Sequence, residues 1–255
     1  MTLFDISGKV AIVTGSSRGI GKAIAHRLAE HGASVVISSR NAVSCDEAAA
    51  EINAAVGREA AIAIAASISS KGDLQRLVAE TQERLGSIDI LVCNAASNPH
   101  FGSMATISDE QFSKTLQNNI ISNHWLAQMV APQMIAGGGG AIIIVSSIGG
   151  LKGSAEIGAY NISKAADFQL ARNLAVELGP QNIRVNCIAP GLIKTDFARA
   201  LWEDEATLKR VTSTAPLRRI GLPDEVAGAA VFLASPAGRY VTGQTVVVDG
   251  GMTIG

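Results

Sequence analysis

Seven runs of aliphatic and β-branched residues recur along the chain, and a segment of helical periodicity follows nearly every one. The runs are 9–15 (KVAIVTG), 33–39, 59–67, 88–96, the end of 137–147 (GGGGAIIIVSS), 183–191 and 243–251. The helical segments are 20–32, 44–57, 70–86, 108–136, 155–178 and 223–234. Runs that are apolar at every position, not at alternate ones, belong to strands buried on both faces. Strands alternating with helices that cover both faces give a parallel sheet, and right-handed crossovers wind it doubly. The expected fold is therefore a single α/β domain, residues 1–255, of the Rossmann type with seven parallel strands. Ser44 is the expected cap of the second helix and Ser108 of the fourth, with Glu110 or Gln111 near its third position. Pro132 is expected to kink or end that fourth helix. The least regular stretch, about 192–222, is expected to be a substrate loop beyond the carboxyl ends of the strands.

Composition narrows the class further. Hydrophobic residues make up 47% and charged residues 17% of the 255, enough apolar surface for a large core. A net charge of −1 offers no electrostatic grip on nucleic acid. No apolar run is long enough to span a membrane, and the N-terminus lacks a signal-peptide layout, so a cytoplasmic protein is expected. Cys45, Cys93 and Cys187 are too widely spaced for a disulfide framework or a zinc site, and no metal is expected.

The segment TGSSRGIG (14–21) follows the first strand and opens the first helix. Glycines at 15, 19 and 21 permit a tight turn and close backbone approach, and free amides at a helix start face an anion. An ordinary strand-to-helix turn is the bland reading; the strand before and helix after favour nucleotide binding. The second strand ends Ser38-Ser39-Arg40 without an acid to meet a ribose hydroxyl. Arg40 and Arg18 suit an additional phosphate, which makes NADP(H) the expected cofactor.

Further on, Tyr160 and Lys164 stand four apart on a helical segment and so share one face, with Ser147 thirteen residues before the tyrosine. Alone, this is compatible with a surface pair. The glycine turn, Asn94-Ala95-Ala96, Ser147, YNISK (160–164) and PGLIKT (190–195) nevertheless occur in the order seen in the short-chain dehydrogenase/reductase family. The chain resembles that family over residues 6–251. NAASNP, APGLIKTDF and GQTVVVDGG look most like NADP-dependent carbonyl reductases of the dehydrogenase/reductase member 4 type.

The resemblance implies a catalytic set of Asn119, Ser147, Tyr160 and Lys164, with Asn118 as the neighbour to be distinguished from Asn119. It implies cofactor contacts at Gly15, Ser17, Arg18, Gly19, Ile20, Gly21, Ser39, Arg40, Ser67, Ile68, Asn94, Ala95, Ala96, Tyr160 and Lys164. Pro190, Gly191, Ile193 and Thr195 match the segment that holds the nicotinamide carboxamide. Two positions depart from the family pattern: Ala96 stands for a glycine, and Ser67 stands where many members carry an aspartate that meets adenine.

An ammonium near a phenol favours the phenolate, which suits proton transfer to and from a carbonyl oxygen. Lys164 would also bind ribose hydroxyls, and Asn119 would hold a water leading to solvent. The implied activity is a carbonyl reductase for a small carbonyl or alcohol substrate, assembled as a homotetramer with the tail GGMTIG at a two-fold axis. Ser147, Ile148, Ile157 and Trp202 are candidate pocket residues, and His100, Phe101, Leu192 and Leu201 are further ones; each also reads as ordinary packing. Three alternatives stay open. One is a 3-oxoacyl-[acyl-carrier-protein] reductase, against which stands the absence of Lys or Arg from 115 to 151. The others are an NAD-linked alcohol or steroid dehydrogenase and a catalytically silent nucleotide-binding scaffold.

Overall fold

The structure, a computed structural model, describes residues 2–254. The strands are β1 (Val10–Thr14), β2 (Ser34–Ser38), β3 (Ala61–Ala63), β4 (Ile90–Cys93), β5 (Gly140–Val145), β6 (Ile183–Pro190) and β7 (Thr245–Val248). They form one sheet in the order β3-β2-β1-β4-β5-β6-β7, with every pair parallel. The strand order reverses between β1 and β4, and their carboxyl ends splay into a crevice there.

The helices are α1 (Gly19–Glu30), α2 (Ala42–Val56), α3 (Lys71–Leu85), α4 (Asp109–Leu116), α5 (Ser122–Ala136), α6 (Gly158–Leu178), α7 (Glu205–Thr212) and α8 (Pro223–Ala234). Helices α3, α5 and α6 bury Leu74, Leu77, Leu126, Val130 and Phe168 against one face of the sheet. Helices α1, α2 and α8 bury Ile24, Leu28, Ile52, Val226 and Val231 against the other. The two apolar layers explain why the central strands read as unbroken hydrophobic runs.

Several boundaries differ from the sequence reading. Asn41, not Ser44, caps α2: its side chain accepts the Ser44 amide at 3.1 Å. The expected strand 59–67 shrinks to Ala61–Ala63 because β3 is an edge with a single neighbour. The expected helix 108–136 is divided by a π-helical turn, Gln117–Ile121. Pro132 lies inside α5 without ending it; burial of Val130, Ala131 and Met134 around it outweighs the local penalty. Ser108 caps α4 in a reciprocal box with Gln111. The stretch 192–222 contains a 3₁₀ segment, Asp196–Leu201, and α7, neither of which the sequence reading resolved. In the tail, Met252 is half-buried against the core of its own chain while Ile254 is exposed. Among the described residues no helix is long and apolar enough to cross a membrane.

Candidate active site

The β1–α1 turn is built for close approach. Gly15 has φ of 64°, and a Cβ there would lie 2.9 Å from the Ala95 Cα. A Cβ on Gly21 would lie 2.4 Å from the Gly15 carbonyl oxygen. The turn is fastened to neighbouring strands by side chains: Ser16 Oγ accepts the Ser38 amide at 2.9 Å. Thr14 Oγ1 accepts the amides of Asn94 and Ala95 at 3.0 and 3.1 Å. Asn94 Nδ2 donates to the carbonyls of Thr14 and Gly15 at 3.0 and 3.1 Å. Helix α1 starts after Arg18 with no side-chain cap. Its first amides are thus left for an external acceptor.

A cleft of about 1230 Å³ opens over this turn. Gly15, Ser17, Arg18, Gly19 and Ile20 form its floor; Ser39 and Arg40 bound it beyond β2; Ile68 and Ser69 bound it beyond β3. Asn94, Ala95 and Ala96 line it beyond β4, and Tyr160, Lys164 and Thr195 line it on the far side. Size, an uncapped helix start and a glycine turn that admits no Cβ all fit a dinucleotide.

Five expected cofactor contacts do not line this cleft. Gly21 is packed beneath the turn. Ser67 does not line the cleft; its amide donates to Asp73 at 2.9 Å, and Ser69 takes the place on the wall. Pro190 pairs with Val248 in the sheet. Gly191 abuts Asp249, and Ile193 is buried and bridged to Gly221. Ser147 stands next to the cleft residue Ser146, with its Oγ accepting the Gly149 amide at 3.0 Å.

On α6, Tyr160 and Lys164 share one face as the i,i+4 spacing requires, with Lys164 Nζ 5.7 Å from the centre of the Tyr160 ring. Phe197, from the 3₁₀ segment, lies over the same phenol with ring centres 6.1 Å apart. Lys164 is almost fully buried, and its Nζ donates to the Val145 carbonyl at 2.9 Å and to Asp167 at 3.1 Å. Burial alone would lower the Lys164 pKa, but Asp167 and Tyr160 outweigh it and hold the side chain as an ammonium, raised from its ordinary value.

Asn119 lies in the π turn and is fully buried. Its Oδ1 accepts the Ser97 amide at 2.8 Å, while Nδ2 donates to the Ser97 carbonyl at 3.0 Å and to Ser163 Oγ at 2.9 Å. Both ends of the amide are therefore committed to protein partners. Asn118 is distinct: it joins Ser69 (2.8 Å) to Ser97 (2.9 Å) and lines the cleft. The expectation singled out neither Ser97, which receives both asparagines, nor Asp167. The latter was legible as an opposite charge three residues after Lys164 in an otherwise apolar stretch.

The pocket candidates divide. Ile148 is a buried residue of the core. Ile157 is half-buried and bridged to Gly102. Trp202 Nε1 donates to the Thr195 carbonyl at 2.8 Å, with Lys194 over its ring, so the indole braces the segment that carries Thr195 and Phe197. His100 is a loop residue, its Nε2 3.1 Å from the Ser103 carbonyl oxygen.

Residues 15–253 match the family described as enoyl-(acyl carrier protein) reductase. The chain is 45% identical, over 96% of its length and 94% of the relative's, to dehydrogenase/reductase SDR family member 4 of Oryctolagus cuniculus. This chain belongs to the short-chain dehydrogenase/reductase family. Among solved structures, a gluconate 5-dehydrogenase from Burkholderia cenocepacia J2315, in complex with NADP and tartrate, superposes with a TM-score of 0.93 at 34% identity. That match covers 99% of this chain and 98% of the other. A 7α-hydroxysteroid dehydrogenase complexed with NADH and 7-oxo glycochenodeoxycholic acid gives 0.92 at 38% identity, covering 98% and 96%. The short-chain dehydrogenase/reductase assignment and the all-parallel sheet agree with the sequence reading, and the chain is an oxidoreductase of this family.

Proposed function

We propose that the chain is an NADPH-dependent reductase of ketones and aldehydes that also oxidises secondary alcohols. One observation carries this reading: Tyr160 and Lys164 wall the same cleft into which Arg18 and Arg40 reach, where β2 ends without an acid. The acids on that side, Glu47 and Glu51, stand on α2, and Glu51 is paired with Lys22. In this reading Arg40 and Ser39 would meet the 2′-phosphate, joined by Arg18 once it leaves Asp196, which it now faces at 3.4 Å; the α1 amides would meet the pyrophosphate, and Ile68 and Ser69 the adenine. Thr195, with Asn94, Ala95 and Ala96, borders the reactive end.

The bound cofactor supplies the hydride. Tyr160 gives its hydroxyl proton to the carbonyl oxygen of the substrate, and the reverse reaction returns it. Ser147 donates a hydrogen bond to the same oxygen and stabilises its developing charge. Lys164 keeps a positive charge beside the phenol, and Asn119 ties the Tyr160 helix to the strand end at Ser97. The stretch 192–222 covers the substrate, with Phe197 over the phenol. Assembly as a homotetramer belongs to the same reading, supported by the exposed apolar side chains Ile121, Ile162 and Val176.

The test is turnover of a panel of aromatic and alicyclic ketones with each cofactor. NADPH is expected to be preferred, and Arg40→Ala to raise the NADPH KM about ten- to a hundredfold while sparing NADH, the loss of a charge-assisted contact of about 1.5–3 kcal/mol. Equal use of the two cofactors overturns the NADP reading; no turnover with either favours a silent scaffold. A second reading, reduction of acyl-carrier-protein thioesters, draws support from the description of the matched family. The segment 115–151, with no Lys or Arg to steer an acidic partner, opposes it. A carrier-protein thioester that exceeds free ketones by orders of magnitude in kcat/KM, with steep salt dependence, would favour that alternative.

A further inference from the structure

Asp167 is the aspartate most deeply placed around the site: its side chain is 0% exposed, one turn beyond Lys164 on α6. One carboxylate oxygen, Oδ2, faces Lys164 Nζ at 3.1 Å. The other, Oδ1, accepts Asn123 Nδ2 at 3.1 Å, and the same Nδ2 donates to the Asn119 carbonyl at 2.6 Å. Tyr160, Lys164 and Asp167 thus form one stripe at i, i+4 and i+7, with the carboxylate at its buried end. A buried ion pair is a poor stabiliser, since two apolar side chains of similar size pack there as well or better. The gain from burying this carboxylate therefore lies in what it does to its partner.

We infer that Asp167 is a positioning residue: with the Val145 carbonyl it fixes the Lys164 ammonium at the cleft wall, and its negative charge offsets the ammonium as felt by Tyr160. The inference rests on the proposed roles of Tyr160 and Lys164. It says that the pair, not the lysine alone, sets how readily the phenol parts with its proton.

Burial pushes the Asp167 carboxyl up, and the Lys164 ammonium, Asn123 and Ser146 oppose that shift. Among the described residues, the other titratable groups turned toward the pair are Tyr160 on α6, Cys93 on β4 and Cys187 on β6. Burial pushes both thiols up and keeps them neutral. Arg172, further along α6, acts on Cys187. Helix α5 meets the pair through the uncharged Asn123, which is tied to the Asn119 carbonyl in the π turn, and His124 is the titratable side chain of that helix. Among the described residues, Glu177 is the other carboxylate on α6, ten residues beyond Asp167, and Lys114 and Asp196 are charged groups lining the same cleft as Tyr160.

A negative charge near a phenol disfavours the phenolate, so removing it moves phenolate formation to lower pH. The chain has two tyrosines, and the other, Tyr240, is fully exposed. In a Tyr240→Phe background, ultraviolet absorbance of the phenolate reports Tyr160 alone, in the free protein and without any turnover. Asp167→Asn and Asp167→Ser are each expected to lower the pH midpoint by about one unit, and Asp167→Glu to keep it close to the parent. The acid limb of kcat/KM for alcohol oxidation should move in the same direction.

The neutral variants risk misfolding because each leaves a buried ammonium unpaired. Lys164→Met/Asp167→Leu replaces the whole pair with apolar side chains and covers that outcome: because the nearer ammonium is offset only in part, its midpoint should rise by less than about one unit. A large upward shift in the double variant would show that the ammonium acts uncompensated and would overturn the inference. So would folded Asn and Ser variants with an unmoved midpoint. Because the titration is read without cofactor or substrate, its failure leaves the reductase reading standing. Conversely, failure to reduce any ketone leaves the titration result intact.

Discussion

Asn119→Ala should weaken the fold as well as the activity. The side chain is fully buried and makes three hydrogen bonds, two of them a reciprocal pair with the Ser97 backbone and one to Ser163 Oγ. Truncation leaves the Ser97 amide without that acceptor and removes a donor from two oxygens. A typical bond contributes about 1 kcal/mol, and a buried donor left unpaired costs about 1–3 kcal/mol. Ser163 Oγ still donates to the Tyr160 carbonyl at 2.7 Å, so the damage there is partial. The sum is about 3 kcal/mol, which for a chain of this size lowers Tm by roughly 6–12 °C. Scanning calorimetry of the free protein measures that drop. Steady-state kinetics should show kcat and cofactor KM worsening together, because Ser97 continues the strip Asn94–Ala96 while Ser163 lies one turn from Tyr160. If Tm stayed within about 1 °C of wild type while kcat collapsed, the side chain would be acting in the chemistry and not as a tie.

Tyr160→Phe keeps the ring that meets Phe197 and loses the hydroxyl; kcat should fall about 10²–10⁴-fold with cofactor binding preserved by fluorescence titration, and near-native kcat would remove Tyr160 from its proposed role. Acid should loosen the start of α8. There Arg219 holds Glu225 bidentately at 2.6 and 2.7 Å and lowers its pKa from 4.5 to about 2, with the Leu222 amide assisting. A depressed carboxyl contributes stability that is present above its unfolded value and lost as pH falls through its folded one. The Tm difference between wild type and Glu225→Gln, present near neutrality, should close as the pH drops from 4.5 to about 2; a gap that persists below that range would refute the assignment.

The sheet was legible in the sequence because Ile12, Leu91, Ile143 and Val185 have apolar neighbours on both sides, and such strands carry no alternation to confuse with a helix. The glycine turn and the Tyr160–Lys164 spacing were legible for a similar reason: local geometry alone fixes which atoms meet. What stayed hidden depends on contacts distant in sequence. Ser67 and Ser69 are equivalent by composition, and the pull of Asp73 on the Ser67 amide decides which of them reaches the cleft. Ile148 reads as a pocket residue from its place after Ser147, yet the turn carries it into the core. Helix α7 is short and mostly polar, so its pattern is too brief to separate from a loop. The π turn leaves no periodic trace because it inserts a single residue between two helices of ordinary pattern.

That insertion acts as a reading frame. A chain one residue shorter between Asp109 and Ala136 would form an uninterrupted α-helix with each hydrogen bond closing one residue sooner. Everything before the deletion would then swing about 100° around the axis relative to everything after it. Helix α4 packs on α6, whereas α5 packs on α3 and the sheet, so the two halves answer to different neighbours and cannot rotate together. Thr115 would leave its buried seat, and the two asparagines would no longer point toward Ser97. Single-residue deletions in this stretch should therefore be far less tolerated than substitutions at its exposed positions. Homologues that differ in length elsewhere should keep the count between Ser108 and Gly137 unchanged.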